Sequence, residues 1–343
     1  MIASPPWATR AFLLAAALLL AAEIVARLGF ASSVDGRFDY GYHPTAGFQE
    51  TPDGRVHLIR SGGRRFFPQS YSIQRPTGTF RILVLGDSVP RGVSVDLAYG
   101  GQLAALLRAR GTPAEVWNLC VPGYGARRVQ TVLRQALHYS PSLVILHLNN
   151  SNEFEDEREL RRSQEFAGWH PKNWLMKSFL FRRLYEAKTE QVAWKLLPES
   201  IRARQGVNDA DAEIAASMNA SLARQWEERV RSETRKSVGL CDERGVPILL
   251  VTQATWSTQS GARRIQDAGL AELAQSLTNR HIAWVSMLET LREGDLPSLF
   301  ADASHLKPPG HSLMAKALLR TLDATALLET RSGRQDTGRS LTR

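Results

Sequence analysis

The feature that most constrains the fold of this 343-residue chain is a series of short apolar runs alternating with helical stretches. The runs are RILVLG (81–86), EVWNL (115–119), LVILHL (143–148), PILLVT (247–252) and HIAWVS (281–286). Their apolar residues are consecutive rather than alternate, the mark of strands buried on both faces. Helical spacing follows several of them, from about Tyr99 to Arg110, Arg127 to Tyr139 and Gly310 to Leu328. Strand, helix, strand in repetition requires crossover connections and hence a parallel sheet. The expectation is an α/β domain over residues 80–328 with five parallel strands covered by helices.

The third and fourth runs are separated by far more chain than a crossover needs. Residues 154–245 contain no strand-like run and read as a helical insertion. Within it Trp174, Leu175, Phe179, Leu180, Leu184 and Tyr185 recur at helical spacing among Lys177, Arg182, Arg183 and Lys188. That pattern fits a helix packed on the domain or a basic amphipathic face against lipid or substrate. A further helix from Asp211 to about Arg244 would return the chain to the sheet. The tail, 329–343, is polar, charged and expected to be disordered.

At the other end, Arg10 precedes an uninterrupted apolar run from Ala11 to Ala22 that resumes after Glu23. Residues 1–31 are therefore read as a signal anchor or signal peptide, with an uncleaved membrane helix preferred. Glu23 and Arg27, one turn apart, are expected to pair. Either form places the rest of the chain outside the cytoplasm, and a single-pass inner-membrane protein with a periplasmic domain is the expectation. Residues 32–79, rich in Gly, Pro and Arg, read as an irregular or short-stranded linker. The net charge of +9 comes from scattered arginines rather than a compact basic run, so nucleic acid is not an expected partner. Cys120 and Cys241 sit in no metal-type spacing and read as buried thiols.

Two segments more than two hundred residues apart carry the chemistry. Ser88, in GDS, follows the first strand and would stand at the carboxyl edge of the sheet, where open α/β folds form their crevice. A serine hydroxyl is a poor nucleophile unless a base removes its proton, and His305 supplies an imidazole. Asp302, three residues earlier, is spaced to accept the imidazole Nδ1 proton and fix the tautomer. The backbone amide of Ser88 would face a developing oxyanion. The eight histidines form no metal motif, there is no phosphate-binding glycine loop, and no cofactor is called for. His147 reads as a core histidine, and Cys120 as packing.

Four blocks, GDS, NLCVPGYG, NNSNEF and DASHLKPPGH, together resemble the SGNH hydrolases, also called GDSL esterases, of the membrane-anchored bacterial type. The resemblance covers about Arg81 to Leu319 apart from the insertion. It implies a flavodoxin-like three-layer sandwich and acyl hydrolysis or transfer, with Ser88, Asp302 and His305 as the triad. It also puts the amide of Gly123 in the oxyanion hole beside Ser88. The third block lacks the family's glycine: an ungapped count puts Ser151 at the asparagine position, whereas a one-residue bulge puts Asn152 there, before Glu153. Asn152 is the preferred oxyanion donor, with Asn149 and Asn150 as substitutes. The implied activity is a serine esterase acting on acyl, best matched by O-acetyl, esters of cell-envelope carbohydrate. The alternatives are an O-acyltransferase using the same triad and a non-catalytic, membrane-tethered glycan-binding scaffold.

Overall fold

In a computed structural model the described residues are 6–30, 47–58, 66–149, scattered positions between 152 and 184, 220–256, 263–265, 268–292, 295–325 and 327. The tail at 329–343 lies outside them, as do Asn150 and Ser151. In chain order the elements are α1 (Pro6–Phe30), β1 (Phe48–Thr51), β2 (Arg55–Leu58), β3 (Ser70–Ser72), β4 (Phe80–Leu85), α2 (Ser88–Arg91), α3 (Tyr99–Ala109) and β5 (Ala114–Asn118). They continue through α4 (Ala126–Ala136), β6 (Leu143–Leu148), α5 (Ala220–Asp242), β7 (Ile248–Thr252), β8 (Ala254–Trp256), β9 (Arg263–Ile265) and α6 (Ala268–Leu277). The last are β10 (Ile282–Ser286), α7 (Met287–Thr290), α8 (Leu296–Leu299) and α9 (Pro308–Thr325).

The five apolar runs form one sheet in the order β10-β7-β6-β4-β5, every neighbouring pair parallel. Because side chains alternate along a strand, each run feeds two cores. Leu83 and Leu85 of β4, with Leu146 of β6 and Leu250 of β7, pack under α4, α5 and α6. Ile82 and Val84, with Ile145 and Leu249, pack under α3 and α9. Two apolar faces require two helical layers, and the result is the expected three-layer sandwich. Ser88 emerges at the carboxyl end of β4, near the middle of the sheet, where the order of connections reverses between β5 and β6.

Residues 47–58 and 66–79 are more than a linker. β1, β2 and β3 form an antiparallel sheet, and Phe48, Val56, Leu58 and Phe66 join the core beneath α4. Tyr71 stacks on Trp117, and Gln69 bonds the backbone of Asn118 in both directions. Arg81, wholly buried, donates to the carbonyls of Ser72, Ile73 and Tyr139 and pairs with Glu115, which fastens this sheet to β4. A further antiparallel pair, β8 with β9, follows β7.

The apolar N-terminal run is helical as α1. Leu13, Leu14, Leu18, Leu19 and Leu20 are 61–64% exposed and, at 100° per residue, surround the helix. Among the described residues no helix is long and apolar enough to cross a membrane. The carboxylate of Glu23 accepts from Ser178 Oγ (2.8 Å) and the Leu180 amide (3.0 Å) in the insertion. The Arg27 side chain lies outside the described residues. Trp174, Leu175, Leu180, Phe181 and Leu184 are helical, whereas Phe179 and Tyr185 lie outside the described residues. The returning helix is described from Ala220 as α5, so its expected start at Asp211 lies outside too.

Candidate active site

Ser88 is placed by a tight exit from β4. A Cβ on Gly86 would stand 2.6 Å from Pro90 Cγ and 2.9 Å from His147 Cβ, so only glycine lets the turn close against β6 and α2. Asp87 then caps α2, its Oδ1 accepting from the Val89 amide at 2.9 Å. Ser88 is the first residue of that helix, and its amide is one of the donors a helix N-terminus leaves without an intrahelical partner.

His305 lies in the loop between α8 and α9. The loop is pinned by backbone hydrogen bonds from Ala301 to the His305 carbonyl and from Lys307 to the Leu299 carbonyl. Within it, Asp302 Oδ1 accepts from the amides of Ser304 (2.9 Å) and His305 (2.8 Å), while Oδ2 meets His305 Nδ1 at 2.6 Å. His305 Nε2 lies 2.9 Å from Ser88 Oγ. Folding thus brings together the three residues read as nucleophile, base and base-orienting carboxylate. Burial alone would raise the Asp302 carboxyl; the hydrogen bonds from the His305 side chain and the two amides outweigh it and hold the pKa at about 2. With Asp302 ionised, Nδ1 carries the proton and the Nε2 lone pair faces the serine hydroxyl.

Gly123 sits at φ +75, a left-handed conformation that favours glycine, in the loop between β5 and α4. Val121, two residues earlier, donates to the Gly86 carbonyl at 3.2 Å, so this loop runs beside the turn that carries Ser88. It is gripped from behind. Arg128, buried, donates from Nη2 to the Gly123 carbonyl, pairs through Nε with the buried Asp156 and lies 4.6 Å over the Tyr124 ring. Glu153 Oε1 caps α4 by accepting from the Ala126 amide at 2.7 Å. Arg229 of α5 reaches Glu157 at 2.9 Å and Glu153 at 3.9 Å. Burial and the nearby Asp156 raise the Glu153 carboxyl to about 8, against the pull of the Ala126 amide, Arg229 and Arg127.

Asn152 lies against Asp87. Its Nδ2 donates at 2.7 Å to Oδ2 of Asp87, an oxygen that Asn149 also approaches through its own Nδ2. The reason is electrostatic: Asp87 is buried beside the serine, and a carboxylate withdrawn from water needs donors. Asp87 and Arg128 are the residues that sequence reasoning passed over. Asp87 had a signal, as an N-cap residue ahead of a short helix; Arg128 had none, being one arginine among many. His147 is a satisfied core histidine, with Nδ1 3.2 Å from the Tyr99 hydroxyl and Nε2 3.0 Å from Gln253 Oε1. Cys120 and Cys241 are free and buried, and burial raises both thiols, which keeps them protonated and poorly nucleophilic. Among the described residues no cluster of His, Cys, Asp and Glu could hold a metal ion.

No family model matches the chain, and no curated protein matches it. Solved structures that it resembles include G-D-S-L lipolytic proteins and an acylhydrolase. A member of the lipolytic G-D-S-L family from Veillonella parvula matches with a TM-score of 0.42 at 13% identity, over 71% of this chain and 98% of that one. The structure of TesA matches with a TM-score of 0.44 at 13% identity, over 71% and 99%. The acetyl xylan esterase AlAXEase matches with a TM-score of 0.40 at 15% identity, over 70% and 98%. Likenesses this distant carry no chemistry from those proteins to this chain, whose chemistry rests on its own residues.

Proposed function

We propose that the protein is a serine esterase of the SGNH type. The observation that carries this reading is the 2.9 Å approach of His305 Nε2 to Ser88 Oγ, with Asp302 bonded to the far side of the imidazole. Ser88 Oγ attacks the ester carbonyl as His305 Nε2 takes its proton, and Asp302 stabilises the imidazolium. The amides of Ser88 and Gly123 receive the oxyanion, and Asn152, which holds one amide hydrogen on Asp87, offers the second. Collapse expels the alcohol, protonated by His305, and leaves an acyl-Ser88 that water hydrolyses by the same steps in reverse. Replacing Ser88 with Ala should abolish turnover of p-nitrophenyl acetate while leaving the thermal midpoint unchanged. Undiminished turnover would contradict the reading.

The protein is further inferred to be membrane-associated through α1 and to act in the envelope on O-acyl, best matched by O-acetyl, esters of carbohydrate. Leucines exposed on every side of a helix call for apolar surroundings, and Leu13, Leu14, Leu18, Leu19 and Leu20 are in no core. Fractionation of the native host should recover the chain with membranes, and protease shaving of spheroplasts should digest the catalytic domain. Recovery in a soluble fraction with α1 intact would overturn the membrane assignment and leave the esterase reading standing.

A further inference from the structure

Glu23 interrupts the apolar surface of α1, and an ionised carboxylate there is costly in a nonpolar medium unless donors meet it. The donors come from the insertion. Ser178 Oγ and the Leu180 amide both reach Glu23, and Ser178 Oγ also accepts from the Phe181 amide at 3.1 Å. Ser178 therefore caps the helical residues that follow it, and Glu23 lies against their first amides, where a helix favours negative charge. The contact joins segments 155 residues apart and seats the insertion beside α1.

Near that contact, described residues of the insertion expose large apolar side chains. Trp174 is 71% exposed, Leu184 64% exposed and Leu175 exposed, although large apolar side chains ordinarily seek a core. In sequence the same stretch carries Lys172, Lys177, Arg182 and Arg183 and no acidic residue from Lys172 to Tyr185. Tryptophan, leucines and basic residues together are the composition of an interfacial membrane element. α1 also exposes apolar side chains and meets this segment at Glu23, so a single apolar medium accounts for both.

We infer that Trp174, Leu175 and Leu184 form a second lipid contact, which rests in the headgroup region of an anionic bilayer and is docked to α1 through Glu23. This rests on the proposed membrane association of α1. It assigns the insertion a role: tethered at two points, the catalytic domain is held at the membrane surface rather than swinging on a single helix.

The test uses the full-length chain in vesicles of phosphatidylethanolamine and phosphatidylglycerol. Nitroxide labels are placed one at a time by Leu19→Cys, Trp174→Cys, Leu184→Cys and, as an aqueous reference, Glu272→Cys. The native Cys120 and Cys241 are buried and stay unlabelled in the folded protein. Relaxation by dissolved oxygen and by a water-soluble nickel chelate reports depth. The expected result is oxygen-dominated relaxation at 19, 174 and 184 and nickel-dominated relaxation at 272. Lipid exposure at 19 with aqueous exposure at 174 and 184 would overturn the inference while leaving α1 in the membrane. Aqueous exposure at all three would overturn both readings. Protection of 174 and 184 from both reagents would mean that protein, not lipid, covers them, and would also overturn it. Combining Leu184→Cys with Glu23→Leu should shift position 184 toward nickel, whereas Glu23→Gln, which keeps an acceptor, should not. An unchanged position 184 in the Glu23→Leu protein would contradict docking through Glu23.

Discussion

The two halves of the candidate site are built by opposite means. The proton-relay half is local and exposed: Asp302 and His305 are three residues apart, their side chains 56% and 28% exposed, and one loop holds them with its own amides. The oxyanion half is non-local and buried. Gly123 is held by Arg128, Arg128 by Asp156, the cap of α4 by Glu153, and Glu153 and Glu157 by Arg229 at the far end of the insertion. Chemistry and architecture are thereby separated. A change in the relay should remove reactivity and spare the fold, whereas a change behind Gly123 should cost both.

The comparison is broken most severely at the relay. His305→Ala should lower kcat for p-nitrophenyl acetate by about 10⁴- to 10⁶-fold, the usual consequence of removing a triad base. Its thermal midpoint should stay close to that of the native chain, because the side chain is partly exposed. Asp302→Asn should cost somewhat less, about 10⁴-fold, by favouring the wrong tautomer. Asp302, with a pKa lowered from 3.8 to about 2, adds stability that is present above 3.8 and lost as pH falls through 2. The acid limb of a kcat/KM profile should therefore not report Asp302. A large fall in thermal stability in either variant would erase the distinction between the two halves.

Behind the oxyanion loop the expected order is reversed. Arg128→Met strands the buried Asp156 carboxylate and should destabilise the protein by about 3–5 kcal/mol in denaturant titration. It should lower kcat by about 10²-fold with little change in KM, because Gly123 loses its tether. The double variant Arg128→Met with Asp156→Leu should regain much of the stability, since no charge is left unpaired, but not the rate. Full recovery of kcat in the double variant would show that Arg128 supports the fold and does not position Gly123.

Glu153→Gln should have the smallest effect on turnover and act on the pH dependence of stability. The carboxyl is raised from 4.5 to about 8 in the folded state, so the native protein holds a proton that the unfolded chain releases across that interval. Native stability from this group is fully present below 4.5, falls as pH rises toward 8 and levels off above it. The neutral amide keeps the acceptor for Ala126 without the titration. The thermal midpoint of the native chain should therefore decline between about pH 5 and pH 8 more steeply than that of the variant. Parallel curves would remove the titration from Glu153.

The same division governs how much of the molecule is legible in its amino-acid sequence. The five sheet runs are legible because burial on both faces leaves consecutive apolar residues, and β6 coincides with LVILHL from end to end. The relay is legible because Asp302 and His305 are neighbours in sequence, and only the meeting with Ser88 needs the fold. β1, β2 and β3 leave no comparable trace: each is three or four residues long, and their core contributors, Phe48, Val56, Leu58 and Phe66, are too scattered to show a period. The grip on Gly123 is illegible for another reason. A buried ion pair between residues 128 and 156, beside another between 157 and 229, has no signature in spacing. The role expected of Asn152 depends on Asp87, whose need for donors becomes visible only when its burial is known.

Activation of Ser88 by His305 is read most directly by fluorophosphonate labelling, because this reagent reacts with a serine that has been activated and not with an ordinary hydroxyl. One adduct per chain is expected, located on Ser88 by peptide mass spectrometry, lost in His305→Ala and slowed in Asp302→Asn. A folded chain that takes up no label at Ser88, or labels equally well without His305, would contradict it.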